Sequence, residues 1–167
     1  MNEQTDHHEL LDQLVAGQLE SLDFPFEVVP IDPEYADTAA FCEEYGYPED
    51  QSANTIIVAS KRGEKKFVAC VVLATTRLDV NHCVRGLMEV SRVSFANAEQ
   101  MQDLTGMKVG GVTAIGLPDS LPIYVDSRIM ELDWIILGSG GRESKIKISP
   151  SVFDRLPNAQ SIEGLAN

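Results

Sequence analysis

Lysine and arginine are missing from the first 50 residues of this 167-residue chain, a stretch that holds 14 Asp and Glu. Residues 51–167 hold 12 acidic and 13 basic residues, so the N-terminal third carries the whole acidic excess behind the net charge of -13. Such a surface repels phosphate backbones at long range, and a nucleic-acid contact has to use a local patch in the other two thirds. Cysteine is scarce. Cys42, Cys70 and Cys83 are odd in number and widely spaced, which argues against a disulfide framework and for small buried hydrophobes in a reducing cytoplasm. No apolar run approaches the ~20 residues of a membrane span. Residues 1–6 bring neither a basic region nor an apolar signal core, so a cytoplasmic location with no membrane contact is expected. Cys-x-x-Cys, His-Glu-x-x-His and Gly-Lys-Ser/Thr are all absent, which leaves redox-dithiol, zinc-hydrolase and nucleoside-triphosphatase readings without sequence support. No metal and no cofactor are expected.

What is present fits one globular domain. Hydrophobic residues make up 44%, enough for a core and too many for a disordered chain. Residues 1–167 are expected to form a single domain, with residues 1–24 an acidic amphipathic helix at its start. Asp6 and Glu9 suggest a capping box, and Leu10, Leu11, Leu14, Val15, Leu19 and Leu22 recur at helical spacing, which predicts a helix from His7 to Leu22. Phe26 to Val29 reads as a strand. Asp32-Pro33 starts a second helix that stops at Gly46. Thr55 to Ala59 and Lys66 to Leu73 form an antiparallel hairpin with a basic tip at Lys61, Arg62 and Lys65. Asp79 caps a short helix, Glu89 to Phe95 reads as a strand, and Asn97 with Gln100 opens another helix ending near Gly106. Short strands follow at Gly110 to Ile115, Ile123 to Asp126, Trp134 to Leu137 and Ser144 to Ile148, and Ser149-Pro150 caps a last helix. This order predicts an α+β fold: a curved mixed β-sheet, partly barrel-like, flanked by helices.

Two glycine clusters carry the chemical interest. Gly110-Gly111-Val112-Thr113-Ala114 and Gly138-Ser139-Gly140-Gly141 could bring backbone N–H groups up to an anion, or simply make tight turns in a curved sheet. Asp126 ends a strand, where a carboxylate receives hydroxyls or amines, or caps the following turn. Lys61, Arg62, Lys65, Lys66, Arg142, Lys145 and Lys147 could form a phosphate patch, although lysines that guard a strand edge are the more usual explanation. His7-His8 and His82-Cys83 are sequence neighbours that read better as solvated or packed pairs than as a metal site or a nucleophilic dyad.

Taken in order, these residues resemble the YbaK/EbsC family, the prolyl-tRNA-synthetase-associated editing domain. The likeness covers about Asp37 to Leu156. It rests on Phe41-Cys42-Glu43-Glu44-Tyr45-Gly46, Ala53-Asn54-Thr55-Ile56-Ile57-Val58, the run Thr105 to Gly116, Ile123-Tyr124-Val125-Asp126 and Leu137-Gly138-Ser139-Gly140-Gly141. The resemblance implies a free-standing aminoacyl-tRNA deacylase that hydrolyses mischarged tRNA and binds its aminoacylated 3′ end. Neither metal nor DNA takes part, and a synthetase can be a partner. It implies that Asn54, Gly110 and Gly111 act on the ester, and that Val112, Thr113, Ala114, Asp126, Gly138 and Ser139 hold the substrate. Two positions depart from the family pattern. Asn54 stands where the family commonly has Lys, and Ala114 where its glycine loop usually ends in Pro. These departures motivate an alternative: a module of the same fold that binds an aminoacyl-like ligand or a synthetase without strong catalysis. A third reading is a hydrolase of small esters.

Overall fold

The structure, a computed structural model, describes residues 7–107 and 111–167. It contains two sheets, not one. The smaller has three antiparallel strands in the order β1 (Phe26–Pro30), β7 (Ser144–Ile148), β6 (Ile135–Gly138). The larger has the order β4 (Val93–Phe95), β2 (Ala53–Ser60), β3 (Phe67–Leu73), β5 (Ile123–Asp126), β8 (Ala159–Ile162). Its β2–β3 and β2–β4 pairs are antiparallel, and its β3–β5 and β5–β8 pairs are parallel. The β2–β3 hairpin follows from the β-branched runs, with Ala53 opposite Leu73 and Ala59 opposite Phe67. A single parallel bridge between Ser52 and Ile136 ties the sheets together where β2 begins. The α+β expectation holds, with the expected sheet divided in two.

The main core lies between the sheets. Ile57, Val71, Ile123 and Val125 come from the larger, Ile135, Leu137 and Ile146 from the smaller, and Val15 and Leu19 from the first helix. That helix, α1 (Gln13–Leu22), is shorter than the spacing predicts. Asp12 is its cap, its side chain accepting from the Leu14 amide, and a separate 3-10 turn covers His8–Leu10. The backbone is extended at Leu11 because the Asp12 amide donates to the Ser139 carbonyl at 3.1 Å, which pins the helix start to the late glycine turn. The expected cap, Asp6, lies outside the described residues.

The second predicted helix is also split. Pro33–Tyr35 is a 3-10 turn capped by Asp32, and α2 (Thr38–Tyr45) begins anew and ends on Gly46 at φ 78°. Val80–Val84 forms a π-turn that leads into α3 (Arg85–Met88), and Asp79 caps it as expected. Helix α4 (Ala98–Thr105) carries the expected capping box of Asn97 and Gln100. Residues 111–115 are not a strand, and residues 89–92 do not join β4. The last predicted helix is a 3-10 segment, Pro150–Arg155.

Candidate active site

Strand β2 enters the larger sheet beside the end of β6, and a cleft of about 320 Å³ opens at this seam. Asn54 and Ile56 of β2, Val112 of the glycine loop, Gly138 of β6, Lys145 of β7 and Met101 of α4 are among its walls, with Asp37 and Thr38 at the start of α2. Asn54 is half-buried, and its Oδ1 accepts a hydrogen bond from Thr38 Oγ1 at 2.6 Å. Thr55 also reaches the cleft, and its Oγ1 is buried with no hydrogen-bond partner among the described residues.

Backbone packing builds one wall. A Cβ on Gly111 would sit 2.4 Å from the Gly141 carbonyl oxygen, and one on Gly138 would sit 3.0 Å from the Gly111 carbonyl oxygen. The Gly140 amide donates to the Gly111 carbonyl at 2.7 Å. The two glycine clusters are therefore stacked main chain on main chain, which side chains at these positions would prevent.

Lys145 is the charged group of the cleft. In the β6–β7 register it pairs directly with Gly138, so its side chain emerges beside the stacked glycines. It is only 8% exposed, and its Nζ lies 5.5 Å from the centre of the Phe41 ring. Burial pushes its pKa below the ordinary lysine value. Cys42 and Asp37 pull it back up, and Arg142 adds to the lowering. A lysine held this way keeps a weakly solvated charge available to an oxygen in the cleft.

The residues expected to form the site therefore separate. Asn54, Val112 and Gly138 line one cleft, and Gly111 supports it from behind. Thr113, Ala114 and Ser139 are fully buried and do not line it. Ser139 serves the turn, where its Oγ donates to the Ser144 carbonyl at 2.9 Å. Asp126 is not at the cleft either. It is fully buried at the end of β5, where its Oδ1 accepts from the Arg128 amide at 3.2 Å and Oδ2 has no partner among the described residues. Its field is felt instead by Cys83, on the far side of the larger sheet. Gly110 lies outside the described residues. Lys145 is the group that the site reading passed over. The only signal for it was an isolated lysine in a strand whose next residues are apolar. Among the described residues, no three His, Cys, Asp or Glu side chains converge as a metal site, and no helix is long and apolar enough to cross a membrane.

Comparison with known proteins agrees with this architecture. The crystal structure of a hypothetical protein, APE2540, superposes with a TM-score of 0.81 at 21% identity, covering 93% of this chain and all of that one. The crystal structure of a candidate trans-editing enzyme for prolyl tRNA synthetase superposes with a TM-score of 0.77 at 22% identity, over 90% of this chain and 94% of that one. A proline–tRNA ligase from Caldicellulosiruptor saccharolyticus is 31% identical over 86 residues, which make up 52% of this chain and 14% of the ligase. The chain thus spans about a seventh of that relative. The family model for the aminoacyl-tRNA editing domain matches residues 32–156, three quarters of the sequence. The chain belongs to the aminoacyl-tRNA editing domain family.

Proposed function

We propose that this chain is a hydrolytic deacylase that acts in trans on mischarged tRNA, opening the ester between the wrong amino acid and the 3′-terminal ribose. A water molecule, positioned by the cleft and by the substrate's own groups, adds to the ester carbonyl. The carbonyl oxygen gains negative charge, the C–O bond to ribose breaks, and the ribose hydroxyl leaves with the proton that the water gave up. Charge develops on one oxygen, so donors fixed around it lower the barrier most. The main-chain amides of the glycine loop, at Gly111 and Val112, act as neutral donors, and Gly110 belongs with them. The Lys145 ammonium supplies the positive charge that Asn54 does not. Asn54, held by Thr38, orients the substrate through its amide, and Met101, Val112 and Ile56 set the size of amino acid admitted.

The single observation that supports this reading is the meeting of Asn54, Val112, Gly138 and Lys145 around one small cleft in a member of the editing family. The test is release of labelled amino acid from a panel of mischarged tRNAs. Release from at least one, above the buffer rate, is expected. No release from any of them at high protein concentration overturns the proposal. One feature favours a binding module instead: Asn54 is uncharged and its oxygen is already taken by Thr38. On that reading the panel is inert, and Asn54→Lys creates activity.

A further inference from the structure

Three depressions adjoin one another along the β4 edge of the larger sheet. The candidate active site shares Asn54 and Ile56 with a cleft of about 680 Å³. That cleft shares Asn81, His82 and Val93 with a third of about 470 Å³. The register explains the continuity. β2 runs outward from Asn54, β4 lies against its second half with Val58 opposite Phe95 and Ser60 opposite Val93, and the Lys61 amide donates to the Arg92 carbonyl at 2.9 Å. The strand from Asn54 to Lys61 covers about 23 Å at ~3.3 Å per residue.

The chemistry along this path differs from that of the rest of the surface. Arg77 lines the middle cleft, and Lys61, Arg85 and Arg92 line the outer one, all of them exposed. Among the described residues the only carboxylate lining the two is Asp79, which is engaged by the amide and ring of His82 at 3.3 and 3.4 Å. In a chain of net charge -13, that is a concentrated positive strip. Arg85 is held in place, with its Nε donating to the Asn81 carbonyl at 2.8 Å. Between the cations stands Phe95, 61% exposed. Cations that merely guarded an edge strand would account for the charge. They would not account for a large exposed ring on the same edge, which makes it stickier. Cations spaced along a groove with an aromatic platform between them are what a single-stranded nucleic acid requires.

We infer that this strip is the track for the single-stranded 3′ end of the substrate tRNA. Phosphates lie on Lys61, Arg85, Arg92 and Arg77, and a base stacks on Phe95. The terminal ribose arrives at Asn54 with its ester in the small cleft. The inference rests on the reading of that cleft as the ester site, but it can fail separately. The basic group here is not the one the sequence suggested. Lys65 and Lys66 open onto a different depression, and Lys147 lies over the Trp134 ring at 4.5 Å.

The test measures binding of uncharged tRNA by fluorescence anisotropy at several salt concentrations, for the natural chain and for the triple variant Lys61→Gln, Arg85→Gln, Arg92→Gln. Thermal melting of each checks that the fold is kept. The natural chain should bind with steep salt dependence. The triple variant should bind at least tenfold more weakly, with a log–log salt slope smaller by about 2, since each phosphate contact to a single strand contributes ~0.7. Phe95→Ala should weaken binding about tenfold and leave the slope unchanged. Hydrolysis of a small aminoacyl ester should be unaffected by all four changes. Unchanged affinity and slope in the triple variant overturn the inference, as does failure of the natural chain to bind tRNA. Binding that behaves as expected without deacylation of any tRNA keeps the track and removes the hydrolytic reading.

Discussion

Two places in this fold put a polar side chain at the end of a strand in the larger sheet, and they have opposite characters. At the start of β2, Asn54 faces a cleft because the smaller sheet ends beside it in glycines that have no side chains to fill the space. At the end of β5, Asp126 is sealed, with one oxygen capping the turn at Arg128 and the other facing no partner among the described residues. A strand end becomes a site only where a neighbouring element leaves room and supplies complementary groups. At the seam between the sheets those groups are Lys145, Thr55 and the glycine loop.

The sharpest way to break the comparison is Lys145→Met. If the seam is the chemical centre, deacylation should fall about ten- to hundredfold, corresponding to ~1.5–3 kcal/mol for a charge-assisted contact. Most of the loss should be in kcat, with Lys145→Arg recovering part of it. The pH profile gives a second reading. With its pKa lowered by burial, Lys145 loses its proton below the ordinary lysine range. Activity, corrected for spontaneous ester hydrolysis, should therefore decline on an alkaline limb that Lys145→Met lacks. Stability should move the other way. Between the lowered folded pKa and the unfolded one the unfolded chain binds the extra proton, so this residue makes stability rise with pH in that window. Melting temperatures measured against pH in the two proteins check this.

Gly111→Ala should come next. Its Cβ would lie 2.4 Å from a backbone oxygen, so the two glycine clusters must part, at a cost of about 1–3 kcal/mol in chemical denaturation. Activity per folded molecule should fall as well. Asn54→Lys in the Lys145→Met background should restore about tenfold of the lost rate, because it returns a cation to the same cleft from the opposite wall. No recovery would mean that position 54 does not face the reacting oxygen. Asp126→Ala should have the smallest effect. Its loss removes the acceptor for the Arg128 amide and costs about 1 kcal/mol in thermal unfolding, while deacylation per folded molecule stays within twofold. A large kinetic defect there would erase the distinction between the two strand ends.

The comparison also explains what could be read in advance. Local signals were reliable where the cause was local: the Asn97–Gln100 capping box, the Gly46 and Gly106 stops and the β2–β3 hairpin. They failed where a distant contact decided the outcome. The first helix starts at Gln13 because Asp12 is held by Ser139, more than a hundred residues away. Residues 111–115 look like a strand, but the Gly111 carbonyl is taken by the Gly140 amide in a turn-to-turn contact. Strand β8, Ala159–Ile162, is short and largely polar, and it gains its identity only by pairing with β5. At the site, Asn54 and the glycines were legible as residue types in order. Lys145 was not legible as a site residue, because a lysine on a strand is a solvent guard or a buried charge according to what packs over it, here the Phe41 ring and the cleft wall. Asp126 was misplaced for the same reason, in the opposite direction.

The stacked glycines constrain how this pocket can diverge. Two main chains already touch at Gly111, Gly138 and Gly141, so that wall offers no side chain for selection to enlarge or trim. A shift in which amino acid is recognised would have to be carved from the remaining faces, through Ile56, Met101, Val112 and the reach of Lys145, while the glycine wall is inherited unaltered.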